Sequence, residues 1–307
     1  MKIKVLKAGP LTTIQDNGRF GYMGLGVGQS GVMDRDSYIK ANKLLENTNN
    51  EAVLEATIIG PDLYFEEETI IAITGADMDI EINGEKIEIG KPYYVEKKST
   101  LKCGMVKNGA RTYFAVRGGF DAPLVMGSRS TNIKCQIGGI EGRKLIDGDE
   151  LEVGPLCLDR CGIERILCNK EKNTTYKNEV EVRVIEGPQD CYFTENGKHT
   201  FYNSFFTVST DSDRMGIRLE GERIETKNGT DIVSDGIAFG SIQVTSSGQP
   251  IVLMADHQTT GGYAKIATVV LDDLSLLAQV MPGDKVRFKK ANIKKIQKLS
   301  FLEKMFG

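Results

Sequence analysis

Three stretches of the chain combine glycine with charged and hydroxyl side chains, the residue types that bind anions or transfer protons. They cover residues 9–42, 117–143 and 234–263. Glycine lets the backbone approach a ligand closely, while arginine, serine and backbone N–H groups are the donors that phosphates and carboxylates accept from. A binding or catalytic site is therefore expected in these stretches.

The second stretch contains the sequence Gly-Ser-Arg-Ser-Thr at residues 127–131. Two serine hydroxyls, several backbone N–H groups and one fixed cation form a donor set suited to a phosphate or a carboxylate. The same residues also fit an ordinary surface turn, and we favour the anion site. The sequence contains no Walker A motif, which excludes nucleotide binding of the P-loop type.

The third stretch begins with a continuous apolar run at residues 251–255, which is typical of a buried strand. This run leads directly into Asp256, His257 and Gln258, and polar side chains at a strand end commonly line a pocket. Adjacent strand residues face opposite sides, so Asp256 and His257 need not touch, and a lone strand histidine is commonly structural. Neither a Ser-His-Asp set nor an H-E-x-x-H zinc motif can be assembled from this sequence.

The first stretch contains Asp-Asn-Gly-Arg at residues 16–19, which also fits the turn of a hairpin. We expect residues 15–22, 127–131 and 256–263 to converge on one cleft, because such polar groups are costly to bury unless they meet a ligand or one another. Catalytic roles are assigned to Asp256, His257, Arg19 and Arg129. Substrate contacts are assigned to Gln15, Asp16, Tyr22, Arg117, Ser128, Ser130, Arg143, Arg214, Gln258 and Tyr263, and no metal ligand is expected.

Short strands separated by glycine turns must position these groups. Strand patterns cover residues 70–74, 78–82, 112–116, 242–245 and 251–255, and the 34 glycines suit many tight turns. Helical patterns are few. They run from Asp34 to about Glu46, from Asp272 towards Pro282, and along the tail after Lys289.

The two halves of the chain share short motifs in the same order. Gly-Pro at residues 60–61 returns at 187–188, and Gly-Asp at 148–149 returns at 283–284. Such spacing favours a duplicated β-rich unit. We predict a mainly β fold with two β-barrel domains and a few short helices. The first domain covers residues 1–155, a linker 156–180, the second domain 181–291, and a basic C-terminal helix 292–307.

The bulk composition narrows the class of partner. The 307 residues carry a net charge of −3, which gives no bulk attraction to nucleic acid or to an anionic membrane. No run approaches the ~18 apolar residues of a membrane span, and the amino-terminal residues lack the apolar core of a signal peptide. We expect a cytosolic protein that acts on a small molecule.

The motifs occur in the same order as in a known protein family. The chain resembles the biotin-dependent carboxyltransferase-like family, whose members include a component of bacterial 5-oxoprolinase, the carboxyltransferase part of urea carboxylase, and the antagonist of a histidine-kinase inhibitor. The resemblance is carried by Thr-Thr-Ile-Gln-Asp-Asn-Gly-Arg at residues 12–19, Ser-Gly-Val-Met-Asp at 30–34, Thr-Gly-Ala-Asp at 74–77, Arg-Gly-Gly at 117–119, Gly-Ser-Arg-Ser-Thr at 127–131, Ser-Asp-Arg-Met-Gly at 212–216, Asp-His-Gln-Thr-Thr-Gly-Gly-Tyr at 256–263 and Pro-Gly-Asp at 282–284.

This resemblance implies that the two β-barrels are cyclophilin-like. It further implies a part in a 5-oxoprolinase complex that opens 5-oxo-L-proline to L-glutamate while ATP is hydrolysed. The implied partners are a lactam-hydrolysing A component and a kinase-inhibitor-like B component. Stabilising the charge that develops on an amide oxygen calls for cations and N–H groups rather than a nucleophile, which suits the arginines named above. The sequence does not locate the ATP.

Two other activities are open at this point. One is a biotin-dependent carboxyltransferase acting on urea or a similar amide, for which a biotin carrier would have to act in trans because the sequence shows no carrier domain. The other is a non-catalytic antagonist that binds a histidine-kinase inhibitor. A cluster of Arg, Asp, Gln and His favours either enzyme over the antagonist.

Overall fold

The computed structural model describes residues 1–48, 50–154 and 159–292. The chain divides into two compact units, and passes from one to the other at Lys177 and Asn178. Unit 1 comprises residues 1–177 and also Ala278–Val280, while unit 2 comprises the rest. The predicted bounds of the linker stay a prediction. The helix predicted for residues 292–307 lies, apart from Asn292, outside the described residues.

Unit 1 is built on a strongly branched antiparallel sheet. Its strands run in the order β2-β3-β8-β4-β1-β10-β9, and β5 pairs with β6, β7 and β8. Alternating burial, as in β1, turns one face of the sheet towards a core that includes Ile3, Leu54, Phe65 and Phe114. The strands are β1 (Lys2–Lys7), β2 (Thr12–Gln15), β3 (Val53–Thr57), β4 (Asp62–Phe65), β5 (Thr69–Ile82), β6 (Glu85–Ile87), β7 (Pro92–Val95), β8 (Thr100–Val116), β9 (Phe120–Asp121) and β10 (Glu150–Val153).

Helix α1 (Arg35–Leu44) confirms the prediction of a helix beginning at Asp34. The Asp34 side chain accepts a hydrogen bond from the Ser37 backbone N–H at 3.0 Å, which satisfies one of the donors left open at a helix start. The α1 side chains Tyr38 and Ala41 are fully buried in a second core cluster.

Unit 2 is a closed barrel in the order β11-β18-β15-β16-β13-β12-β19, with a separate two-stranded sheet of β14 and β17. Both units are thus rich in strands, and the mainly β fold with barrel-like sheets was predicted correctly. The strands are β11 (Glu179–Glu186), β12 (Phe206–Val208), β13 (Gly216–Glu220), β14 (Asp231–Gly236), β15 (Ser241–Val244), β16 (Pro250–Leu253), β17 (Thr260–Tyr263), β18 (Lys265–Val269) and β19 (Lys285–Lys290).

Two helices were missed by the sequence patterns. Helix α2 (Arg160–Leu167) lies within the predicted linker, and helix α3 (Glu195–Asn203) lies in a segment whose Asn and Gly disfavour a helix. Tertiary packing overrides that preference, because Phe201 of α3 stacks on Phe288 with ring centroids 4.6 Å apart. Helix α4 (Leu271–Leu277) begins one residue before the predicted start.

The predicted duplication is visible in one place and absent in others. Residues 77–84 resemble residues 214–221, and a strand pattern begins, directly after a glycine, at both 110 and 249. On that basis β13 and β16 are the counterparts of β5 and β8, and both pairs are antiparallel. However, β19 pairs in parallel with β11, whereas β10 pairs antiparallel with β1. Repeated Gly-Pro and Gly-Asp turns therefore did not imply one common strand order, because turn residues specify a local backbone shape rather than strand partners.

None of the helices in the described ranges is both long and apolar enough to cross a membrane.

One glutamine completes the core of unit 1. Gln279 is 2 % exposed, and its Oε1 accepts from the backbone N–H groups of Ala110 and Arg111, each at 2.9 Å. Its Nε2 donates to Asp34 Oδ2 at 2.7 Å and to the Arg111 carbonyl at 2.9 Å. Four bonds satisfy this amide fully, so the segment of residues 278–280 is held in place by hydrogen bonding as well as by packing.

We expect Gln279→Leu to lower the free energy of unfolding by about 3 kcal/mol, since each buried group left without a partner costs about 1–3 kcal/mol. Urea unfolding followed by circular dichroism measures this change. The control is Gln258→Leu, because Gln258 is exposed and its amide makes no hydrogen bond within the described residues. If both variants unfold at the same urea concentration, Gln279 does not have the role described.

Candidate functional site

A buried carboxylate joins the first two of the three predicted segments. Asp16 follows β2 directly and is 1 % exposed. Its Oδ1 accepts from the hydroxyls of Ser128 and Ser130 at 2.6 and 2.5 Å and from the Gly18 N–H at 2.9 Å. Its Oδ2 accepts from the Arg129 N–H at 2.6 Å. The anion held by residues 127–131 is therefore the protein's own carboxylate, and we call this arrangement the Asp16 clamp.

The glycine at residue 138 packs against the backbone of the Asp16 clamp. A side chain at Gly138 would press its Cβ against the Ser130 carbonyl oxygen, far inside contact distance. Thr131 is also tied to β2, since its N–H and hydroxyl donate to the Ile14 carbonyl at 2.9 and 3.0 Å. Close approach to the Ser130 carbonyl, within the same loop region, thus accounts for the glycine at residue 138.

Arg19 and Gln15 hold the same loop through its main chain. Arg19 is fully buried, and its Nε and Nη2 donate to the carbonyls of Val125 and Ser130, each at 2.9 Å. Gln15 Nε2 donates to the Thr131 carbonyl at 3.1 Å. The Arg19 guanidinium therefore positions the backbone in this structure, and it would have to move before it could bind a ligand as predicted.

Arg129 and Tyr22 lie nearer the surface. The Arg129 side chain is 23 % exposed, and its Nη2 lies 3.1 Å from Asp121 Oδ1. Its Nε is buried and has no hydrogen-bond partner within the described residues. Tyr22 is half-buried, beside a short 3-10 helix at Met23–Leu25. The Arg129 side chain is therefore only partly accessible to a ligand.

The other two predicted arginines of unit 1 have structural partners. Arg117 Nη1 donates to the carbonyls of Leu45, at 2.7 Å, and Glu46 at the end of α1, where a cation is favourable. Arg143 forms a two-pronged ion pair with Asp149 at 2.8 and 2.9 Å. Hydrogen bonding to Arg143 is the main reason that the pKa of Asp149 lies below its usual range.

The third predicted segment belongs to unit 2 and contains a buried ion pair. Arg214 Nε and Nη2 donate to Asp256 Oδ2 and Oδ1 at 2.8 and 3.2 Å, and both side chains are at least nine-tenths buried. A two-pronged pair of this kind fixes both partners and occupies the carboxylate. Asp256 therefore acts as an anchor for Arg214 in this structure.

His257 has a different environment from its neighbour. It is 2 % exposed, and its Nδ1 donates to the Gln258 carbonyl at 2.7 Å. Burial lowers the pKa of the imidazole, while the Gln258 carbonyl and Asp256 act in the opposite direction. A neutral ring with its proton on Nδ1 leaves the Nε2 lone pair as a possible base.

A cavity of about 320 Å³ opens beside this segment, within unit 2. Its lining includes Gln258 and Tyr263, to which the sequence analysis assigned substrate contacts, and also Asp213, Arg218 and Gln243, which it did not assign to a site. The alternation in β13 could have placed Arg218 on the outer face of a strand. The sequence does not specify which strands lie beside β13, so it could not predict the cavity.

Gly261 and Gly262 lie in β17, which is paired with β14. A Cβ at residue 261 would come within 2.8 Å of Gln243 Nε2, so a larger residue there would displace the Gln243 amide. Whether residues 256–263 converge with the Asp16 clamp stays a prediction. In the parts of the chain that the structure describes, no three or more His, Cys, Asp or Glu residues are grouped to hold a metal ion.

We expect Asp16→Asn to lower the free energy of unfolding by about 3 kcal/mol. The amide removes a buried charge that receives four hydrogen bonds, and its NH2 group faces donors instead of acceptors. The matched control is Asp121→Asn, because the Asp121 side chain is 66 % exposed and surface changes usually stay within about 0.5 kcal/mol. Equal stability of the two variants in urea unfolding would rule out the clamp.

Comparison with known proteins places this architecture among relatives. The family described as carboxyltransferase domain, subdomain A and B, matches residues 25–290. The C subunit of 5-oxoprolinase from Escherichia coli strain K12 is 35 % identical over 299 residues, which are 96 % of this chain and 93 % of that protein. The Haemophilus influenzae protein of the same name is 35 % identical over 297 residues, covering 97 % and 94 %.

A solved structure agrees with these matches. The K. lactis urea amidolyase superposes with a TM-score of 0.88 at 29 % identity, covering 97 % of this chain and 19 % of that one. The chain therefore belongs to the carboxyltransferase-domain family, in which its near-full-length relatives include the C subunits of two bacterial 5-oxoprolinases.

Proposed function

We propose that this chain is the C subunit of an ATP-dependent 5-oxoprolinase. With a lactam-hydrolysing A component and a kinase-inhibitor-like B component, it would convert 5-oxo-L-proline to L-glutamate as ATP is hydrolysed. The observation that carries the proposal is the near-complete coverage, in both directions, of two proteins that bear the name of the 5-oxoprolinase C subunit. Coverage of the K. lactis urea amidolyase is 19 % of that chain.

The Asp16 clamp bears on where ATP could bind. The hydroxyl and N–H groups of residues 127–131 already surround the Asp16 carboxylate, and a phosphate placed there would meet a negative charge. These residues therefore do not fit a nucleotide phosphate, and no step of the reaction is assigned to ATP at this loop.

Within the proposed function, the predicted catalytic residues divide into two groups. We assign His257, through its Nε2 lone pair, as the proton-transfer group. We assign Arg129, whose side chain is 23 % exposed, as a group that binds an anion other than the 5-oxo-L-proline carboxylate. Asp256 and Arg19 become positioning residues, because their charged atoms hold Arg214 and the loop carbonyls.

A second candidate function is a carboxyltransferase that acts on urea or a similar amide. The TM-score of 0.88 to the K. lactis urea amidolyase favours it. Such a reaction would need carboxybiotin delivered by a biotin carrier, and it would produce no glutamate. Assays with the two substrates therefore separate the candidates.

The test is reconstitution with the proposed partners, measuring glutamate and ADP. We expect turnover from the three components together and none from this chain alone or from the partners without it. His257→Asn and Arg129→Ala should each lower turnover at least tenfold, the range lost when a proton-transfer group or a charged hydrogen bond is removed. Arg129→Lys should be nearly as impaired as Arg129→Ala, because lysine lacks the planar fork.

Two outcomes would contradict the proposal. One is ATP-coupled turnover by the isolated chain. The other is full turnover by the partners in its absence.

A further inference from the structure

The cavity of unit 2 lies on the outer face of the barrel. On β13, Ile217 and Leu219 are buried in the core, so the alternate residues Gly216 and Arg218 face the other way. Gln243 on β15 and Leu253 on β16 likewise line the cavity while their neighbours fill the core. Three paired strands therefore form a rigid floor that the surrounding solvent can reach.

Two charged groups of opposite sign line this floor. Arg218 forms no ion pair and its guanidinium donates no hydrogen bond within the described residues. Asp213 Oδ1 accepts from the backbone N–H groups of Met215 and Gly216 at 2.8 and 3.1 Å, which fixes the carboxylate and leaves Oδ2 open. A ligand can therefore meet one free cation and one preorganised acceptor.

Amide and apolar groups complete the lining. Gln243 is buried and its Nε2 donates to the Tyr263 carbonyl at 3.1 Å, which fixes the orientation of the amide. Ile251 and Leu253 supply apolar surface. An apolar wall with a few fixed polar groups is typical of a small-molecule site, and a volume of about 320 Å³ is at the small end of the usual range.

We propose that this cavity binds a small molecule that carries a carboxylate and a neighbouring N–H group, which is an amino acid or its lactam. Arg218 binds the carboxylate, Asp213 accepts from the N–H, and Ile251 and Leu253 contact the carbon skeleton. In the lactam form this is the chemistry of 5-oxo-L-proline, an identification that rests on the proposed function. A nucleoside triphosphate does not suit the cavity, because its lining has a single arginine and also a carboxylate.

Isothermal titration of the full chain with three probes tests the assignment. 5-Oxo-L-proline has both groups, 2-pyrrolidinone lacks the carboxylate, and cyclopentanecarboxylate lacks the N–H. We expect 5-oxo-L-proline to bind at least tenfold more tightly than either analogue, since a hydrogen bond to a charged group is worth about that factor or more. L-Glutamate, which shares both groups, distinguishes a site for the amino acid from one for the lactam.

Arg218→Gln should weaken the binding of 5-oxo-L-proline at least tenfold, by the same argument. Arg223→Gln is the matched control, because Arg223 is exposed and does not line the cavity. The titrations are repeated with the reconstituted complex. If Arg218→Gln and Arg223→Gln bind the probe equally in both preparations, or if 2-pyrrolidinone binds as tightly as 5-oxo-L-proline, the assignment is overturned.

Failure of this site and failure of the proposed function give different results. The complex could form glutamate while the binding of 5-oxo-L-proline does not depend on Arg218. That result would rule out the site and support the proposed function. Binding of 5-oxo-L-proline that depends on Arg218, with no turnover by the complex, would support the site and rule out the proposed function.

Discussion

The organisation of unit 1 depends on a carboxylate removed from water. Asp16 is almost fully buried, and such a charge is tolerated because hydroxyl and N–H donors replace its hydration. These donors come from a segment more than a hundred residues further along the chain. The same bonds therefore satisfy the charge and close the sheet region between β2 and the loop of residues 127–131.

This constraint changes the meaning of a motif that looks like a ligand site. A glycine followed by serines and an arginine can hold an anion, and here it does so, but the anion is part of the protein. Arg19 adds to the effect by donating to two carbonyls of the neighbouring loop. The polar residues of the motif are thus largely used in holding backbone segments together, and Arg129 projects from a framework that is already fixed.

Unit 2 uses its charges differently. Arg214 and Asp256 neutralise one another in a buried pair, whereas Arg218, two strand positions beyond Gly216, faces a cavity. The difference follows from the alternation of a strand whose inner residues pack the barrel. A rigid outer face with an unused cation is a suitable place for a small anionic ligand, and it needs no movement of the core.

Local patterns in the sequence predicted much of the fold. The apolar run at residues 251–255 became β16, and Asp34 caps α1, because burial and capping depend on near neighbours. Helix α3 was missed because the packing of Phe201 against Phe288 outweighs the weak helix preference of its first turn. The strand order of unit 2 could not be predicted, since turn motifs do not specify which strands pair.

The candidate site was harder to predict for a related reason. Residues 127–131 present the same donors to an external carboxylate and to Asp16, and the role of Arg218 depends on which strands lie beside β13. In both cases the deciding contacts are long-range, and the sequence shows the donor without showing its acceptor.

The central claim is that the hydroxyl and N–H groups of residues 127–131 form a structural clamp on Asp16, while 5-oxo-L-proline binds in the cavity beside Arg218. Amide chemical-shift mapping of the isotopically labelled chain, titrated with 5-oxo-L-proline, compares both places in a single experiment. We predict shift changes at residues 213–218, 243–245 and 258–263, with residues 127–131 unchanged. Shift changes at residues 127–131 with an unperturbed cavity would contradict the account.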